Sequence, residues 1–474
     1  MKNLTRIESG VQGLDTVLGG GLLEGAAYIV QGSPGAGKTI LSNQIAFHRA
    51  AQGGRVLYVT LLSESHDRLF QALGTLDFFD PQRIGNEIIY LSVFQTLRES
   101  GLDAVVHLLR SEIKRHGARL LVFDGLLNAR DRADSDLDVK TFVAEVQGQA
   151  AFAQCTVLFL TSTRVQDASP EHTMVDGVIE LSEDLAGVRS IRRLQVRKSR
   201  GSAAIGGLHQ FEIGTTGLTI YPRYEATAAR SFPDAVPPSA RIRSGCSDLD
   251  EIAGGGFPAG SITLLLGPSG SGKTTLGLQF LSAASADEPA LHFGFLETPA
   301  RLRAKAKALG LPLPENEDMT LLWNPLTENL LDKLGWQLLS EVRKRGIRRL
   351  FIDGLTGFER AAIHPTRLTE FLAALTNELR NLGVTTLATW ETVEMVGSGM
   401  TAPAAHLSAL HDNLIILQRL PIDHTLVRTI AIQKMRDSDF TPATFGLVLS
   451  SSGLTIGNTM AATPDPNRIE TASD

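Results

Sequence analysis

Two octapeptides in the chain have the residue types and spacing of a phosphate cradle. They are Gly32-Ser33-Pro34-Gly35-Ala36-Gly37-Lys38-Thr39 and Gly267-Pro268-Ser269-Gly270-Ser271-Gly272-Lys273-Thr274. Both satisfy G-x-x-x-x-G-K-[ST], and each follows a strand-like apolar run and opens a helical pattern, over 40–49 and 275–284. Phosphate oxygens must be met by several backbone N–H groups at once. That requires a loop without bulky Cβ atoms, and the next helix adds its unsatisfied N–H groups and positive dipole end. Lys38 and Lys273 are placed to reach the β- and γ-phosphates, and the hydroxyls of Thr39 and Thr274 to ligate Mg²⁺. ATP with Mg²⁺ is therefore the expected ligand. A glycine-rich turn without a ligand is the plain alternative to one such match, and two matches in register weaken it.

Acidic residues recur at matching distances downstream. Asp124 and Asp353 end the apolar runs RLLVFD and RRLFID, where a carboxylate sits at the C-terminal edge of a sheet beside the phosphate loop and holds Mg²⁺. A turn or cap aspartate is the competing reading of such an Asp-Gly step. Glu64 and Glu297 close YVTLLSE and LHFGFLE and are the candidates for activating water near the γ-phosphate. Each precedes a helical start (SHDRL, TPARL), so a carboxylate favoured by the helix dipole is the alternative. Lys198 and Arg200 in VRKSRGS, and Lys434 and Arg436 in IQKMRDS, either lend positive charge to a transferring phosphoryl group or are solvated strand-edge charges.

All these landmarks occur twice in the same order, about 230–236 residues apart. GVQGLD with Gly19–Gly21 and GCSDLD with Gly254–Gly256 open the two halves. A length of 474 residues suggests about three average domains, but the repeat reads as two larger ones. Short β-branched runs (27–31, 56–60, 120–124, 156–161; then 261–266, 349–353, 384–389) alternate with helical patterns such as 103–116 and 368–381. That alternation predicts an α/β fold, a mainly parallel sheet with helices on both faces in each half. The expected organisation is a first domain over 1–225, an extended linker rich in proline and small residues over 226–240, a second domain over 241–457 and a flexible tail over 458–474.

Composition narrows the function classes. With 45 basic and 51 acidic residues the net charge is −6, which argues against nucleic acid as a partner. The two cysteines, Cys155 and Cys246, can build neither a disulfide framework nor a four-ligand zinc site, and they suit a buried role in a reducing cytoplasm. No apolar run approaches the ~18 residues of a membrane span, and the N-terminus has no secretion-signal pattern.

Taken together, the tandem openings, glycine triplets, phosphate loops, strand-end glutamates and Lys-x-Arg pairs resemble the KaiC family over about residues 4–457. The resemblance implies two RecA-like P-loop NTPase domains, stacked rings of six subunits, and ATP bound between neighbours. It also implies that Lys198/Arg200 and Lys434/Arg436 act on the adjoining subunit's nucleotide, that the first ring is an ATPase, and that the second is an autokinase open to protein regulators. The chain departs from the family pattern at both glutamate positions, after the second Lys-x-Arg and at the phosphoacceptor stretch. Ser63-Glu64 and Leu296-Glu297 keep only the second of two glutamates, and the second Lys-x-Arg is followed by Asp437 where the family has glycine. The phosphoacceptor stretch reads Leu407-Ser408-Ala409, leaving Ser408 as the single candidate acceptor. The leading expectation is thus a hexameric ATP-hydrolysing signalling protein. A DNA-dependent motor on the same core, and a nucleotide-switched scaffold with negligible turnover, stay open.

Overall fold

The computed structural model describes residues 5–61, 66–126, 136–162, 171–228, 240–311, 313–392, 410–422, 425–451 and 453–459. The chain divides into two compact units, Met1–Thr227 and Ala228–Asp474. Each is built on one nine-stranded sheet.

In the first unit β1 (Ala27–Gly32), β2 (Val56–Thr60), β3 (Ile88–Ser92), β4 (Leu120–Asp124), β5 (Thr156–Thr161) and β6 (Gly177–Ala186) are parallel. β7 (Arg189–Ser199), β8 (His209–Gly214) and β9 (Gly217–Tyr221) extend the sheet as an antiparallel meander. The spatial order is β3-β2-β4-β5-β1-β6-β7-β8-β9. The second unit repeats it with β10 (Ile262–Gly267), β11 (Ala290–Gly294), β12 (Met319–Trp323), β13 (Arg349–Asp353), β14 (Thr385–Glu391) and β15 (Asn413–Ile422) parallel. β16 (Thr425–Met435), β17 (Thr444–Ser450) and β18 (Gly453–Thr459) are antiparallel. Its order, β12-β11-β13-β14-β10-β15-β16-β17-β18, is the same permutation.

The all-apolar central strands follow from burial on both faces. Alternate residues of β1, β2 and β4 separate into two cores. Tyr28, Val30, Tyr58 and Val122 pack with Leu41 and Ile45 of α1 (Lys38–Ala51), whereas Ile29, Leu57, Val59, Leu121 and Phe123 pack on the other side. There they meet Val105, Leu109 and Ile113 of α2 (Phe94–His116) and Val139, Phe142 and Val146 of α3 (Asp136–Phe152). In the second unit Leu276 and Phe280 of α4 (Lys273–Ser282) pack on Leu265, Phe351 and Leu387.

The repeated aspartate of each opening segment ties down the chain before the phosphate-loop strand. Asp15 accepts the Ser9 N–H at 3.1 Å and Asp250 accepts the Ser244 N–H at 2.7 Å. Both cysteines are buried and free, as expected, and burial pushes the Cys155 thiol up to about 12. Among the described residues, no helix is long and apolar enough to cross a membrane.

Several boundaries move. Phe94–His116 is broken at Gly101 (φ 75°, ψ −171°), so the helix expected over 103–116 stands after the break and a shorter helical segment from Phe94 precedes it. The helix expected over 368–381 starts at Pro365, a residue suited to a first helical position. A short helix, Tyr224–Thr227, enters the expected linker, and β18 runs to Thr459, two residues beyond the expected domain edge at 457.

Candidate nucleotide sites

Each phosphate loop joins the central strand of its sheet to a helix, β1 to α1 and β10 to α4. The helices start at Lys38 and Lys273 themselves, two residues before the apolar pattern suggested. Gly37 and Gly272 cap them in the left-handed region, at φ 101° and 112°, where a side chain would be strained. Gly32 and Gly267 are required by close approach instead. A Cβ there would lie 2.2 Å from the Leu181 carbonyl oxygen and 2.3 Å from that of Leu417.

The lysines fold over their loops. Lys38 Nζ donates to Gly32 O at 2.8 Å and Ser33 O at 3.0 Å, and Lys273 Nζ to Gly267 O at 2.6 Å and Pro268 O at 2.7 Å. Burial lowers both ammonium pKa values. Asp124 opposes this in the first unit, and Glu391 and Asp353 oppose it in the second. The parallel register sets the ends of β4 and β13 beside the loops, so Thr39 Oγ1 lies 3.4 Å from Asp124 Oδ2 and Thr274 Oγ1 3.1 Å from Asp353 Oδ2. A hydroxyl paired with a carboxylate is a hard oxygen donor set, which fits Mg²⁺.

The two aspartates differ. Burial pushes the Asp124 carboxyl above its ordinary range, against the pull of Lys38, Thr39 and Tyr58. Burial acts on Asp353 in the same sense, but His292 beside it, with Thr389 and Thr274, draws it below that range. The residues that oppose burial differ at equivalent places. The third residue of β2 is Tyr58, hydrogen-bonded to Ser42 and Asn43, and that of β11 is His292.

The remaining predicted residues are distributed unevenly. Glu64 and Ser408 lie outside the described residues. Glu297 stands three residues past the end of β11, just before the helix Pro299–Ala308, and accepts a 2.8 Å ion pair from Lys305 of that helix. Lys198 and Arg200 donate to the Thr173 carbonyl, and Lys198 also to that of His172 at 2.7 Å. Lys434 donates to His411 O at 2.9 Å, and Arg436 pairs with Asp412 at 3.6 Å. The strand register places these pairs away from their own loops. Ser199 is level with Gly177 and Tyr28, four residues before Gly32, a rise of about 13 Å. Met435 is level with Asn413 and Thr263, again four residues before Gly267.

A sequence model of the family described as "ATPase: KaiC" matches the chain twice, over residues 7–225 and 242–460. The chain belongs to the KaiC ATPase family. It is similar to the circadian clock oscillator protein KaiC of Picosynechococcus sp., with 26% identity over 464 residues that cover 92% of this chain and 87% of that one. KaiC 1 of Synechocystis sp. is 26% identical over 465 residues, covering 92% and 86%. KaiC of Synechococcus elongatus is 26% identical over 479 residues, covering 95% and 88%. The two nine-stranded, mainly parallel sheets are accordingly tandem RecA-like P-loop domains.

Within this KaiC-family frame, three residues at the second phosphate loop were missed by motif reading. Glu391 ends β14 level with Gly267 and acts on Lys273. Arg419 on β15 lies against Gly270, and Arg428 Nε on β16 donates to Gly270 O at 3.3 Å. The first unit carries Glu183, paired with Arg192, two residues beyond Leu181, as Arg419 lies two beyond Leu417. None of these has a local motif. Only the lateral pairing of strands in the sheet brings them to the loop.

Proposed function

We propose that both units bind ATP and hydrolyse it in a ring of subunits, with each site completed by a neighbour. The observation that carries this reading is the twice-built set of phosphate loop, Lys, Thr and strand-end Asp. Gly32 to Thr39 and Gly267 to Thr274 bind the phosphates through backbone N–H groups and the lysine ammonium. Thr39 with Asp124, and Thr274 with Asp353, are the residues to hold Mg²⁺, which when bound neutralises charge on the β- and γ-phosphates. Glu64 and Glu297 orient water and take its proton, and Glu297 must leave Lys305 to do so. Little covalent chemistry falls to the protein, so charge placement carries the rate.

The neighbour's part rests on geometry. Lys198/Arg200 and Lys434/Arg436 stand about four strand residues from their own loops, which favours action on another subunit's phosphate. A six-membered ring and single-site phosphorylation of Ser408 belong to the same reading. Its test is complementation. A Lys38→Ala/Lys273→Ala chain and an Arg200→Ala/Arg436→Ala chain should each be inactive, and mixed assemblies should regain part of the ATP turnover. Loss of turnover with no recovery on mixing, in assemblies that mass measurement shows to be mixed, would overturn the shared-site arrangement.

A further inference from the structure

At the end of the first sheet opposite the phosphate loop, the structure holds an open polar cleft of about 580 Å³. Its basic lining residues are Arg49, Arg55, Lys114, Arg115, His116 and Arg119. Arg49 lies in the last turn of α1, Lys114 to His116 form the last turn of α2, and Arg55 and Arg119 precede β2 and β4, so four elements converge on it. We propose that this cleft is a binding site for a small multivalent phosphate anion, separate from the nucleotide loops.

The charge is little neutralised within the unit. Glu112 pairs with Arg115 at 3.5 Å and with His116 at 3.1 Å. Arg55 reaches the His116 carbonyl, and Arg119 the Ala153 carbonyl and the Gln154 amide. Arg49 and Lys114 make no ion pair with any described residue, and the enclosed Nε of Arg49 has no hydrogen-bond partner among them. Five permanent cations thus face one carboxylate in a chain whose net charge is −6.

Basic residues in a last turn answer the helix dipole, and the second unit shows what that requirement alone produces. Its equivalent helix, Leu331–Arg345, also ends in Arg343, Lys344 and Arg345. There Arg343 pairs with Glu378 at 2.6 Å, Arg345 with Glu341 at 2.8 Å, and Arg349 with Glu288 at 2.5 Å. Counting back from β11 as from β2, Ala283 stands for Arg49, Pro289 for Arg55, and Asp287-Glu288 for Gly53-Gly54. The same fold is therefore content with a neutralised end, and the surplus belongs to the first unit. Guanidinium groups from separate elements suit the charge and multiple acceptor oxygens of a phosphate-bearing anion. The lining contains no Phe, Tyr or Trp on which bases could stack, and it is small, so an oligophosphate fits better than a nucleic-acid strand.

The test uses the full chain with its nucleotide loops saturated by a non-hydrolysable ATP analogue and Mg²⁺, titrated calorimetrically with tripolyphosphate at physiological salt. One site per chain is expected, weakened about 100-fold in Arg49→Ala/Arg55→Ala and about 10-fold in Lys114→Glu, whose exposed position leaves folding intact. The charge-matched Arg343→Ala/Arg348→Ala chain should bind as the parent does. Absence of binding, equal weakening in the charge-matched chain, or equal affinity for a short single-stranded oligonucleotide would each overturn the proposal.

Discussion

Thr389 offers the sharpest test of how the second site is held. Its buried hydroxyl donates to Asp353 Oδ1 at 3.0 Å and accepts the Gly354 N–H at 2.8 Å. Thr389→Val keeps the shape and removes both bonds. Losing a hydrogen bond to an ionised carboxylate costs about 1.5–3 kcal/mol, stranding the amide adds about 1–3, and the new methyl returns about 0.8. The expected net destabilisation of the second unit is about 2–5 kcal/mol. All three tryptophans, Trp323, Trp336 and Trp390, lie in that unit, so urea unfolding followed by tryptophan emission reports it alone. The Asp353 carboxyl lies below its ordinary value of 3.8, so it contributes stability that is full above that value and lost as pH falls through its folded pKa. The difference between parent and variant should accordingly be full at neutral pH and shrink in acid. A shift below about 0.5 kcal/mol at pH 7, or one that does not shrink in acid, would refute the reasoning. In the first unit Leu160, paired in register with Asp124, takes this position, in keeping with the raised carboxyl there.

Glu64→Gln/Glu297→Gln should lower ATP turnover by about 100-fold or more while nucleotide affinity stays near that of the parent; parental turnover would remove both from the chemistry. Gly32→Ala should destabilise the first unit far more than Gly35→Ala. The first sets a Cβ 2.2 Å from a backbone oxygen, whereas the second meets nothing within 4 Å and carries only the left-handed strain at φ 83°, about 1–2 kcal/mol. Limited proteolysis of the first unit against urea reads that order, and equal stabilities would contradict it. Cys155 and Cys246 should resist thiol reagents in the folded chain and react together only on unfolding, because both are buried and burial raises their thiols. Prompt labelling of either would mean local opening.

Much of the site was legible because its chemistry is local. Lys38 and Thr39 sit on one helical turn behind a glycine loop, and Asp124 and Asp353 announce themselves by ending apolar runs. The duplication was legible for the same reason, since each copy must repeat those local solutions. Glu297 was legible as a residue but not in its state, because its partner Lys305 is fixed only when the next helix forms.

By itself, then, the sequence determined two phosphate loops, their metal-ligand candidates and an alternating α/β pattern, all of which depend on neighbours a few residues apart. Only the tertiary structure decided which distant residues share an environment. The lateral strand order sets Arg419 and Arg428 against the second loop, and the pairing of β6 with β7 carries Lys198 away from the first. It also sets Tyr58 beside Asp124 and His292 beside Asp353; both draw the carboxyl down, and only in the second unit does that pull, with Thr389 and Thr274, outweigh burial. The physical reason is that spacing along a strand or helix is set by backbone geometry, whereas charge, burial and hydrogen-bond partners are set by whatever the sheet brings alongside.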